Sequence, residues 1–72
     1  MLREKIVDRL VALRKERGIS QEKLSAMCGL DRTYISGVER KLRNLTLDSL
    51  ERILKGLRVS PAKFFDSVRY DE

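Results

Sequence analysis

The stretch Gln21–Arg40, QEKLSAMCGLDRTYISGVER, decides how this 72-residue chain is read. Apolar residues fall at Leu24, Cys28, Leu30, Ile35 and Val38. Their spacing is helical on each side of Gly29 and slips at that glycine, where the chain must change direction. Two short helices joined by a glycine turn, the second of them amphipathic, form the outline of a helix-turn-helix unit. In such a unit the second helix lies in the major groove of DNA. The rest of the sequence reads as scaffolding that holds this second helix out.

Toward the N-terminus, residues 2–17 read as a first helix. Leu2, Ile6, Leu10 and Leu13 repeat at the spacing of one helical face, and Val7 and Val11 widen the stripe. Gly18 supplies the left-handed residue on which helices often end. Ser20 is suited to cap the second helix, with Gln21 and Glu22 in its first turn. Asp31 does the same for the third helix, placed at about 32–40. A basic connection, Arg40-Lys41-Leu42-Arg43-Asn44, follows it. Thr46 caps a fourth helix whose apolar stripe is Leu47, Leu50, Ile53, Leu54 and Leu57. Ser60-Pro61 is a cap followed by proline at the first helical position, opening a fifth helix with Phe64, Phe65 and Val68. The tail Tyr70-Asp71-Glu72 reads as a frayed end. No strand pattern or internal repeat is present, so the expected class is all-α with five helices in a single domain, residues 1–72.

Charge narrows the partner. The net charge is +5, and residues 1–45 hold eleven Lys and Arg against six Asp and Glu, while residues 46–72 hold five of each. The whole excess therefore surrounds the opening stretch, which suggests a polyanion as partner. With one Cys and no His, the chain can form neither an internal disulfide nor a zinc cluster. No cofactor is expected. An enzyme lacks a general base or a phosphate loop here, and Cys28 sits at an apolar helical position as a small core residue. No apolar run approaches a membrane span and no signal-peptide pattern opens the chain, which makes the cytoplasm the expected compartment.

If Ile35 and Val38 face inward, then Arg32, Thr33, Ser36, Gly37 and Arg40 project outward from the third helix. Arg32 can donate two hydrogen bonds to guanine. Thr33 and Ser36 can meet base edges or phosphates. Gly37 costs about 1 kcal/mol in a helix interior, and a close approach to DNA or to a neighbouring helix is the expected compensation. Tyr34 either packs on the domain edge or reaches the sugar-phosphate backbone. Gln21, at a helix N-terminus, is a phosphate candidate, as are Arg43 and Asn44.

On these residues the chain resembles the Cro/C1-type helix-turn-helix family of bacterial and phage regulators. Gln21, Leu24, Gly29, Leu30, Ile35, Val38-Glu39-Arg40 and Arg43-Asn44 carry the likeness, over roughly residues 6–66. It implies a compact, lambda-repressor-like five-helix domain, dimeric on a near-palindromic double-stranded operator. It also implies a buried Arg14–Glu39 pair joining the first and third helices. The run LDRTYISGVERKLRNLTLDSLERILKGLRVSPAKFF looks most like restriction-modification controller proteins, small dimers that activate and then repress their own gene and the endonuclease gene. Three positions depart from the broad family pattern: Ser25 replaces alanine, Lys41 replaces glycine and Leu45 replaces proline. The last two are shared by controllers, and they leave the path of residues 41–45 open.

At this length a regulatory switch is expected to act through concentration or a partner, and coupled dimerisation supplies the former by mass action. The expected dimer interface uses the fifth helix and the end of the fourth, led by Phe65, Val59 and Val68, with Phe64 in the core. RNA polymerase is a further candidate partner, through the exposed Glu22. The rival readings are a small phage-type repressor and an antitoxin that neutralises a toxin. An antitoxin needs a partner-binding surface beyond the DNA face.

Overall fold

Side-chain caps open four of the five helices in the computed structural model, which describes residues 1–68. The helices are α1 (Leu2–Glu16), α2 (Gln21–Cys28), α3 (Arg32–Glu39), α4 (Leu47–Leu57) and α5 (Pro61–Asp66). Ser20 Oγ accepts from the Lys23 amide at 3.0 Å, Asp31 Oδ1 from Thr33 at 3.3 Å, Thr46 Oγ1 from Ser49 at 3.0 Å and Ser60 Oγ from Lys63 at 3.2 Å. Each satisfies an amide that the helix itself leaves free. Only α1 starts without such a bond. The expectation for Tyr70-Asp71-Glu72 lies outside the described residues.

Three helices end in one motif, a left-handed residue followed by paired back-bonds. Gly18 (φ 64°) serves α1, Lys41 (φ 63°) serves α3 and Arg58 (φ 58°) serves α4. After α3, Lys41 N–H donates to Val38 O and Leu42 N–H to Gly37 O, both at 2.9 Å. The lysine thus takes the left-handed conformation itself, and Leu45 packs half-buried against the core. That settles the path of residues 41–45. Gly29 turns α2 into α3 with φ 72°, and the Ser25 hydroxyl donates across that turn to the Leu30 carbonyl.

The core gathers Leu10 and Leu13 of α1, Leu24 and Cys28 of α2, Ile35 of α3, Leu50, Ile53, Leu54 and Leu57 of α4, and Phe64 of α5. α2 packs against both α4 and α3, and α1 against α3. α4 comes close to α2 at Gly56, where a Cβ would sit 3.1 Å from Met27 O and 3.2 Å from Cys28 Cβ. Cys28 is buried in this contact, as its apolar position implies.

Two residues of the expected apolar stripes are not inside. Leu2 is 52% exposed, and the buried face of α1 begins instead at Val7. Leu47 is 83% exposed. It stands on the first turn of α4, one turn ahead of Leu50, and lines a groove with Leu54, Pro61 and Phe65. Helical spacing alone cannot report that a stripe runs past the end of what it packs on.

Polar bonds join what the core leaves apart. Arg14 holds Glu39 bidentately, Nε to Oε2 at 2.7 Å and Nη2 to Oε1 at 2.9 Å. Its third nitrogen donates to Ile19 O at 2.8 Å, and Gln21 Nε2 adds a bond to Glu39 Oε1 at 2.8 Å. Both charged side chains are about nine-tenths buried, at 11% and 12% exposure. The network locks α1, the α1–α2 turn and the start of α2 to the end of α3, so the orientation of α3 is fixed by charge as well as by packing.

Candidate nucleic-acid interface

α3 buries Ile35 and Val38 and turns its opposite side outward. Arg32, Thr33, Ser36, Gly37 and Arg40 of that side, with Leu42 and Arg43 of the connection behind it, line a shallow hollow of about 390 Å³. Three arginines and two hydroxyls face it and, among the described residues, no carboxylate does. Asp31 is turned into its capping bond. The surface therefore offers donors to phosphates and base edges with no like-charge repulsion.

Gly37 departs from its expected role. Its missing side chain makes room for Arg43 of the connection and not for a neighbouring helix. A Cβ there would collide with Arg43 Cγ and lie 3.3 Å from Arg43 Cβ. The stem of Arg43 thus lies on the bare backbone of α3, and its guanidinium stands 5.3 Å from the centre of the Tyr34 ring, within cation–π range. Tyr34 in turn donates its hydroxyl to Asn44 O at 2.8 Å. Tyr34 and Gly37 thus hold Arg43 and the connection against the helix.

Asn44 Oδ1 accepts from Arg3 Nη1 at 2.6 Å, so that side chain is engaged by α1. The Gln21 side chain gives one of its two amide N–H groups to Glu39. Left for an anion at the start of α2 are its second N–H and the backbone amides of Gln21 and Glu22, in a hollow lined by Arg14, Ser20, Gln21, Glu22 and Arg32. Sequence reasoning missed Leu42, which is 68% exposed beside the arginines, and the tether from α1. Lys41 Nζ meets Asp8 Oδ1 at 2.8 Å. That hydrogen bond, with the negative charge of Asp8 and Glu4, holds Lys41 above the ordinary lysine value of 10.5. A raised value means that the lysine's part in stability is complete below pH 10.5 and is lost as pH climbs through the raised value. A lysine standing where the helix needs a left-handed residue was the signal that could have revealed this tether.

On the dimer side, the structure separates three residues expected to act together. Val59 and Val68 are half-buried and pack on the core from outside, whereas Phe65 is 44% exposed. Phe64 is buried, with the Phe65 ring edge-on to it at 5.3 Å.

A family model described as helix-turn-helix matches residues 10–64. The control protein C.MunI of a Mycoplasma species is 40% identical over 62 residues, covering 85% of this chain and 84% of that one. The chain belongs to the Cro/C1-type helix-turn-helix family. Its relatives include the control protein C.BamHI of Bacillus amyloliquefaciens, 52% identical over 48 residues. That match covers 67% of this chain but 59% of the relative, so the chain spans little more than half of that protein. The crystal structure of the restriction-modification controller protein C.Esp1396I superposes with a TM-score of 0.90 at 48% identity, covering 94% of this chain and 90% of that one. The same controller has been solved as a tetramer in complex with its natural 35-base-pair operator, and this chain superposes on it with a TM-score of 0.89. Among the described residues no helix is long and apolar enough to cross a membrane.

Proposed function

We propose that the chain is a sequence-specific transcription regulator of the restriction-modification controller type. It binds double-stranded operator DNA as a homodimer in the cytoplasm, and activates and represses its own promoter and that of an endonuclease. The observation that carries this reading is the hollow, free of carboxylates among the described residues, in which Arg32, Thr33, Ser36, Arg40 and Arg43 converge beside α3. Arg32, Thr33 and Ser36 read bases. Arg40, Arg43 and the first-turn amides of α2 hold the backbone in register. The family likeness and the superposition on a controller solved with its operator support the same reading. It assigns no catalytic step to any residue.

Dimerisation uses the groove between α4 and α5, where Leu47 and Phe65 stand exposed around Leu54 and Pro61. Val59 and Val68, half-buried against the core, are the further interface residues. Glu22, exposed on α2, is the candidate contact for RNA polymerase. A Glu22→Lys variant should bind DNA as the parent does and fail to activate; intact activation removes that contact.

Selection of bound sequences from a random DNA pool tests the central claim. A near-palindromic consensus, bound in gel shifts far more tightly than random duplex, is the expected result. Enrichment of no sequence would reduce the protein to a general polyanion binder.

A further inference from the structure

Three helices close with the same left-handed motif, and the means of holding it differ among them. α1 uses a glycine, Gly18, and the following Ile19 packs on the core. α4 has Arg58 in place of a glycine, but the following Val59 again packs on the core. Such an apolar contact after the left-handed residue is a regular part of the motif. α3 has neither. Lys41 carries a side chain at φ 63°, and the following Leu42 is 68% exposed. Its opposite number three residues from the helix end is Gly37, which has no side chain to meet it.

Two bonds from α1 stand in that place: Lys41 Nζ to Asp8 Oδ1 at 2.8 Å and Arg3 Nη1 to Asn44 Oδ1 at 2.6 Å. They bracket Leu42 and Arg43, whose amides both return to Gly37 O, at 2.9 and 3.2 Å. We propose that Asp8, through its ion pair with Lys41, is a positioning residue for the DNA-facing connection, replacing the glycine and the apolar contact that hold the equivalent turn elsewhere. Arg3 braces the far end of the same segment. Asp8 touches no DNA in this scheme. It acts by keeping Arg43 seated on Gly37. The functional consequence rests on the DNA-binding reading, whereas the structural part stands without it.

The test uses the full chain and three variants, Asp8→Ala, Lys41→Gly and the two combined. Asp8 is exposed on α1, so its loss leaves the core intact. Glycine adopts the left-handed conformation freely and has no need of Asp8. Hydrogen exchange of the Leu42 and Arg43 amides, which requires no DNA, is the first readout. In Asp8→Ala their protection should fall about two- to fivefold, the range for an exposed ion pair, with the rest of the chain unchanged. In the combined variant it should equal that of Lys41→Gly. The second readout is the ratio of affinities for the selected operator and for random duplex, in which added charge cancels. That ratio should fall by a similar factor in Asp8→Ala and be restored in the combined variant. Unchanged protection in Asp8→Ala, or the same loss in both backgrounds, would overturn the pairing. Altered exchange with an unaltered ratio would overturn its part in recognition. A parent that prefers no DNA sequence would count against the DNA-binding reading, while the exchange result would still judge the pair.

Discussion

Arg32 and Gly37 sit five residues apart on the same helix face and serve it in opposite ways. Arg32 opens α3 with a free guanidinium above the hollow, so its contribution lies in what it touches. Arg32→Ala should cost about 1–3 kcal/mol on the cognate operator and relax preference at one base pair. Equal losses on cognate and random DNA in gel shifts would make it a phosphate contact instead. Gly37 contributes by absence. Alanine there should favour the helix by up to about 1 kcal/mol while displacing Arg43. Moving the Arg43 stem opposes that gain, so denaturation should show Gly37→Ala within about 1 kcal/mol of the parent, with DNA binding weakened. In an Arg43→Ala background the same change should cause no further loss of binding. A binding loss of equal size in both backgrounds would separate Gly37 from Arg43.

At the level of elements, the face of α3 is only as well placed as the network that holds it. Arg14 and Glu39 are about nine-tenths buried and satisfy each other through two bonds, so removing one charge strands the other. Glu39→Gln should destabilise the fold by about 3 kcal/mol, measured by urea denaturation, and a loss below 1 kcal/mol would make the pair ornamental. Thr46→Ala removes the α4 cap and should cost about 1 kcal/mol. These elements were largely legible in sequence. Ser20, Asp31, Thr46 and Ser60 announce their helices because a cap is chemistry between neighbours. The Arg14–Glu39 pair was reached through family likeness, since nothing local links residues 25 positions apart. The connection after α3 was not legible. Its path depends on Lys41 meeting Asp8 and on Arg43 lying over Gly37, contacts that exist only once α1 and α3 are side by side. Leu47 was misread for a related reason, because its spacing matches the stripe while its surroundings end one turn earlier.

For the whole molecule, charge and apolar surface divide the work. The basic excess falls in residues 1–45, which hold α3 and the three arginines of its hollow, and the charge-balanced remainder carries the exposed Leu47 and Phe65. Binding should fall steeply with salt, with each phosphate contact contributing about 0.9 to the log–log slope. Arg40→Ala should flatten that slope by about one per subunit. In the proposed homodimer the interface sets where two such faces sit along DNA, and a two-fold interface uses each residue twice. If Phe65 anchors the groove, Phe65→Ala should remove about 2 kcal/mol for each copy, moving the monomer–dimer midpoint to higher concentration in sedimentation. Because two α3 faces must bind together, half-saturation of a palindromic operator should move with it, while binding to a single half-site should not change. A Phe65→Ala protein as dimeric as its parent would remove Phe65 as the anchor. A shifted midpoint with unchanged operator binding would mean that DNA, and not α5, assembles the pair.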